Sequence, residues 1–205
     1  MVSTSQPAPA RPAAARTDVA GERHIARLNA RVSAYAIDSA LLVGFMLVFL
    51  IIGGAALLFT SDFGANDPPD SAYYAFTAVL IGGTVLAWSA WNIALVAWRA
   101  QTAGMYLVGI AVQTESASPV SAGRSVARWL AFHPLLFHPL LLPLWGLFAY
   151  LTASLTLNQI AFGASLVLVV LCIAVPIAGV IAILVDPEHR ALHDRIAGTV
   201  VVHLE

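Results

Sequence analysis

The chain has 205 residues, of which 60% are hydrophobic and only 10% charged, with a mean hydropathy of +0.83. A soluble domain carries about 25% charged residues, so a water-soluble core is excluded and lipid must be the solvent for most of the chain. The formal net charge of −1 excludes a strongly basic nucleic-acid binder. Residues 1–21, rich in Ala, Pro, Ser and Thr, read as a disordered cytoplasmic tail without an apolar core for a signal peptide. Residues 22–205 read as one membrane domain.

A helix needs about 20 apolar residues to cross a ~30 Å hydrocarbon layer. Stretches 32–60, 72–98 and 160–185 meet that standard. A fourth, 129–152, is long enough but contains Pro134, Pro139 and Pro143. Each proline removes a backbone donor and clashes with the preceding turn, so this third span is expected to be kinked or built from two short pieces. The predicted fold is an all-α integral membrane protein, a bundle of four transmembrane helices. Segments 106–112 and 199–204, rich in branched residues and bounded by glycine, read as strands. Both fall on one side of the membrane and are expected to pair into a small cytoplasmic sheet.

All ten basic residues are arginines. They lie before the first span, between the second and third, or after the fourth. The loop 61–71 has none and carries Asp62, Asp67 and Asp70, and the turn near Asn158 also has none. Basic residues gather inside, so both termini and the central loop are expected in the cytoplasm, with the chain in the cell (inner) membrane. Tyr73, Tyr74 and Tyr150 suit the outer interface, Trp98 and Trp129 the inner one. Ala174, Ala178 and Ala182 form a small-residue line on the last span where a helix could approach closely. Ala30, Ala34 and Asp38 share a stripe on the first.

Asp38 lies about 10 Å inside the first helix, at a depth where a carboxylate is paired, protonated or functional. Arg31 stands two turns back on nearly the same face, and Arg128 or Arg195 are further candidate partners. The functional reading makes Asp38 a proton or cation ligand; the plainer one is a buried ion pair that fixes helix register. In 186–195, Pro187 suits the first turn of a new helix capped by Asp186; functionally it reads as a cation site or a docking surface, and more plainly as a solvated, membrane-flanking helix with internal ion pairs. His133 and His138, five residues apart, point about 140° apart on a helix and cannot grip one metal together; either alone could be an axial ligand to haem or a chlorophyll. Cys172 reads as a small hydrophobe. No sequence pattern of a nucleophile, phosphate loop or zinc site is present, so no enzyme, metal or cofactor is expected.

The segment from Arg31 to Asp38 (RVSAYAID) resembles the opening signature of the RDD family of membrane proteins. Gln101–Gly104 with Gly109–Val112 looks like that family's segment after the second helix, and Leu192–Val201 (LHDRIAGTVV) resembles its C-terminal signature. The resemblance runs from about Ala26 to Val202. It maps the family's one arginine and two aspartates onto Arg31, Asp38 and Asp194, with Thr102, Gly104, Gly109, Gly198 and Thr199 as supporting motif residues. It implies a polytopic membrane protein; some members have been linked to sodium/proton exchange. The expected role is a non-catalytic accessory or structural subunit of a larger membrane complex, partnered by lipid and by other subunits or copies of itself. The alternatives are a cation/proton transporter centred on Asp38 and a pigment or haem carrier using His133 or His138.

Overall fold

A computed structural model of the protein describes residues 24–151, 153 and 159–204. The expected tail 1–21 and the turn near Asn158 lie outside them. Helix α1 (Leu28–Thr60) starts four residues earlier than expected. At 33 residues it is about 50 Å long, well beyond the ~30 Å that hydrocarbon requires. Its buried residues Ala30, Ala34, Asp38 and Leu42 recur every fourth position, and beyond Leu42 only Gly53 is buried. The first turns therefore pack on protein while the rest presents apolar side chains outward. The second rod consists of α2 (Asp70–Thr77), a π-helical stretch (Ala78–Gly83) and α3 (Thr84–Arg99). The sequence did not announce the π-helical stretch. Glycines set the spacing between the two rods: the Phe49 ring seats on Gly83 and the Phe76 ring on Gly53, leaving no room for a Cβ at either.

Stretch 129–152 is not one helix. Helix α5 (Ala122–Leu130) stops at its own C-cap, turns occupy 131–138, and a 3-10 turn (Pro139–Leu141) leads into α6 (Leu142–Leu151). The prolines explain the breaks, since Pro134 cannot extend α5 and Pro139 opens the 3-10 turn after His138 caps it. Trp129 is buried, stacked on His133, and is a core residue where an interface anchor was expected. Helix α7 (Gln159–Val185) is the third long apolar rod. Ala174 and Ala178 are exposed on it, so the expected small-residue line does not face the bundle; Cys172, Val175, Gly179 and Ile183 do.

The end of the molecule near Arg31 carries a cap. Helix α4 (Ala103–Val108) precedes strand β1 (Ile110–Thr114), and helix α8 (Leu192–Ala197) precedes strand β2 (Thr199–His203). The strands pair antiparallel, with Ile110 opposite His203 and Thr114 opposite Thr199. The expected sheet exists, but its first strand starts at Ile110, because 103–108 is helical. Glycine makes both helix-to-strand turns possible: Gly109 (φ 73°) and Gly198 (φ 61°) end their helices in the left-handed region, which costs a residue with a Cβ. Residues 24–26 line the free edge of β2, with His203 N–H donating to His24 O (2.8 Å) and Ala26 N–H to Val201 O (2.9 Å). Helix α8 also begins later than expected. Asp186 sits in the turn that ends α7, where its Oδ1 accepts from Glu188 N–H at 2.7 Å, and does not cap α8, whose N-cap is Ala191.

Candidate functional site

Arg31 and Asp38 are seven residues apart, 20° short of two full turns, so α1 presents a base and an acid on one face. The cap grips each differently. Thr102 caps α4 by accepting from Met105 N–H (3.2 Å) and donates its hydroxyl proton to Asp38 Oδ2 (2.6 Å); Gly104 N–H donates to Asp38 Oδ1 (2.7 Å). A Cβ at Gly104 would overlap the Ala34 carbonyl oxygen and approach Asp38 Cγ to 2.9 Å. Glycine is therefore required there for close approach and not for its dihedral freedom. The expected ion pair at Asp38 is not what forms: its hydrogen bonds come from a hydroxyl and an amide, because α4 reaches that face before any guanidinium does.

Arg31 instead pairs with Asp194. Its Nη1 donates to Asp194 Oδ2 (2.9 Å) and its Nε to Ala26 O (3.2 Å). Arg128 on α5 donates from Nε to Asp194 Oδ1 (2.9 Å) and from Nη2 to His193 Nε2 (3.3 Å). Asp194 is the third residue of α8 and turns back to accept from Ala191 N–H at 3.2 Å, where an acid suits the positive end of a helix. Burial alone would raise the Asp194 carboxyl, but Arg128, His193 and Arg31 outweigh it and hold it far below the usual carboxylate range. Burial pushes His193 down to about 3, against Asp194 and with help from Arg128 and Arg31. A neutral ring also fits the geometry, since Nε2 must offer a lone pair to Arg128.

Around this cluster lies a cavity of about 130 Å³ lined on its polar side by Arg31, Tyr35, Asp38, Arg128, His133 and His193. The two membrane histidines sit in turns, not on one helix. His138 has both ring nitrogens engaged, by Ser39 Oγ (2.8 Å) and Leu140 N–H (3.0 Å). His133 Nδ1 accepts from Leu135 N–H (3.2 Å), and its ring lies 5.0 Å from Trp129 and 4.4 Å from His193. Among the described residues no three His, Cys, Asp or Glu side chains are placed to hold a metal ion.

The sequence profile of the RDD family matches residues 25–198, which include Arg31, Asp38, Thr102, Gly104, Arg128 and Asp194. The chain belongs to the RDD family. No curated protein and no solved structure matches it. Residues picked out by resemblance meet in space: Arg31 pairs with Asp194, Asp38 accepts from Thr102 and Gly104, and Thr199, just past the matched span, donates to the Asp194 carbonyl oxygen at 3.3 Å. Sequence reasoning missed Arg128 and His193 as partners of Asp194. Arg128 stood among the candidate partners of Asp38, and no local signal assigned it to Asp194 instead.

Proposed function

We propose that this RDD protein is a non-catalytic scaffold or accessory subunit of a membrane assembly, and that its signature residues act as a structural lock. One observation carries this reading: all four oxygens of Asp38 and Asp194 accept hydrogen bonds from donors of the chain itself. Carboxylates so occupied are poor ligands for a passing cation, and buried pairs of this kind serve to fix geometry. The long rods supply surface for partners, since Leu47, Val48, Ile51 and Ile52 on α1 and Val167, Val170, Ile177 and Ile181 on α7 all point outward. Gentle extraction from native membrane should recover a stoichiometric partner or a second copy; a clean monomer would remove the reading.

The topology that goes with it is four crossings with both termini and the cap in the cytoplasm. Residues 24–26, β1 and β2 share one sheet, so the chain returns to the same side after each excursion. Two apolar rods lie between residue 26 and β1. Among the described residues between β1 and β2, α7 alone is long enough, so parity asks the proline-broken stretch around α6 for the fourth crossing. The arginine distribution gives the direction. A cysteine at Asn66, in a Cys172→Ser background, should react with an impermeant maleimide from outside intact cells, and one at Ala117 should not.

A cation/proton exchanger centred on Asp38 is the second reading, favoured by the place of Asp38 beside Arg31 and Arg128 on the cavity wall. Sealed vesicles decide it: unchanged cation-driven proton flux in Asp38→Asn, or none in the parent protein, would dismiss exchange.

A further inference from the structure

Among the described residues the sheet end carries seven arginines and five acids, while the loop 61–71 at the far end carries acids only. Most of the charge at the sheet end is matched within the chain. Arg31 and Arg128 are balanced by Asp194 and Asp38, and Arg190 and Arg195 sit among Asp186, Glu188 and Glu115. Arg27, Arg99 and Arg124 are exposed and make no salt bridge among the described residues. Of these three, Arg99 alone is set on aromatic rings. Its guanidinium carbon lies 4.8 Å from the centre of the Trp98 ring and 5.9 Å from that of Tyr106, both within the ~6 Å reach of a cation–π contact.

This platform stands where the rods leave hydrocarbon. Trp98 and Arg99 close the second rod, Asp70–Arg99, whose 30 residues span about 45 Å against the ~30 Å of hydrocarbon. Tyr106 belongs to α4, which packs on α1 where Gly104 meets Ala34 and Asp38, within about the first three turns of that overlong helix. Both parts therefore lie at head-group depth, the level at which Trp and Tyr rings are enriched. Trp98, Tyr106 and Leu107 are 78%, 60% and 69% exposed, and apolar surface of that extent suits a lipid interface better than water. A guanidinium held by its faces keeps its edge donors available, and that planar fork matches phosphate oxygens two at a time. Because the rings already orient it, little side-chain freedom is lost on binding.

We propose that Arg99, steadied by Trp98 and Tyr106, binds the head group of an anionic phospholipid in the leaflet at the sheet end, with the exposed Trp98 and Leu107 against its apolar part. This goes beyond the scaffold role and does not depend on it: lipid binding is read on the isolated chain, partner capture on native membrane. The test titrates the full chain in neutral detergent micelles with phosphatidylglycerol or phosphatidylcholine and follows bound lipid by native mass spectrometry. The first phosphatidylglycerol should bind about fivefold more tightly than phosphatidylcholine, the effect of one arginine at an anionic surface, and inorganic phosphate should not displace it. Arg99→Gln should abolish that preference. Trp98→Leu, which keeps an apolar anchor without the ring, should reduce it about twofold. Arg27→Gln and Arg124→Gln remove the same charge from positions without a ring platform and should retain most of it. Equal binding of the two lipids, or an unchanged preference in Arg99→Gln, would overturn the assignment. Equal losses in all three arginine variants would show diffuse charge in place of a site, and displacement by phosphate a free-anion site; either overturns it too. The altered residues are exposed, so melting temperatures should match the parent. Should Arg99→Gln melt early, Trp98→Leu becomes the deciding variant, and an unchanged preference there would sink the proposal.

Discussion

The two halves of the cap are built alike and bound to α1 by opposite chemistry. Each is a six-residue helix, a left-handed glycine and a five-residue strand: α4, Gly109 and β1, then α8, Gly198 and β2. The first clasp offers neutral donors, Thr102 Oγ1 and Gly104 N–H, to the acid of α1. The second offers an acid, Asp194, to the base of α1 and to Arg128. Neutral donors hold a carboxylate by geometry and close approach. A buried carboxylate between two guanidinium groups holds by charge, and its removal strands those charges. The difference teaches that one scaffold unit can read either sign on a neighbouring helix, according to whether its helix start presents amides or an acid.

The comparison can be broken most severely at Asp194. Asp194→Asn leaves Arg31 and Arg128 buried without their counter-ion, a change expected to cost about 3–5 kcal/mol, read as a large drop in melting temperature in detergent. Next comes Gly104→Ala, whose Cβ runs into the Ala34 carbonyl oxygen. Overpacking against backbone costs about 1–3 kcal/mol, and the expected signature is loss of protection at the α1–α4 contact in hydrogen exchange while the second clasp stays protected. Asp38→Asn should fall in the same range as Gly104→Ala and well short of Asp194→Asn. Its amide oxygen can still accept one donor, so the loss is on the order of one charge-assisted hydrogen bond, about 1.5–3 kcal/mol at most. If Asp38→Asn destabilised more than Asp194→Asn, the contrast between the clasps would be wrong.

The smallest effect is in the pH profile. His193 is held down to about 3 in the folded chain, against about 6.5 when unfolded. The unfolded state therefore binds the extra proton, and stability falls as pH drops below about 6.5 toward about 3. Asp194 runs the same way lower down: its depressed carboxyl stabilises above the usual carboxylate range and is lost only in strong acid. The charged and titratable groups around His193 are Asp194, Arg128, Arg31 and His133. Melting temperatures at pH 7 and pH 5 should differ less in His193→Gln, which keeps an acceptor for Arg128, than in the parent chain. An equal difference would assign the acid sensitivity to another group.

Much of this was legible in the residues. Long apolar runs, glycine-bounded branched segments and the spacing of Arg31 and Asp38 follow from composition and periodicity, because chain length against bilayer thickness and side-chain period are local quantities. The segments resembling the RDD signature contain Arg31, Asp38, Thr102, Gly104 and Asp194, which the fold brings into hydrogen-bonded contact, but they did not point to Arg128 as a partner of Asp194. Partners were not legible. Asp38 accepts from Thr102, 64 positions away, and Arg31 reaches Asp194, 163 positions away, and nothing local distinguishes these from a pairing of Arg31 with Asp38 on their shared face.

The sequence alone determined that long apolar runs place the chain in lipid, where the charged residues fall along it, and that two glycine-bounded branched segments form strands. The tertiary structure decided which acid meets which base, that Arg128 and His193 join the cluster, and that a cavity opens beside Arg31. The physical reason is range: hydrophobic transfer and backbone sterics act residue by residue, whereas a buried hydrogen bond or ion pair exists only once packing has brought two distant groups within about 3 Å and excluded their water.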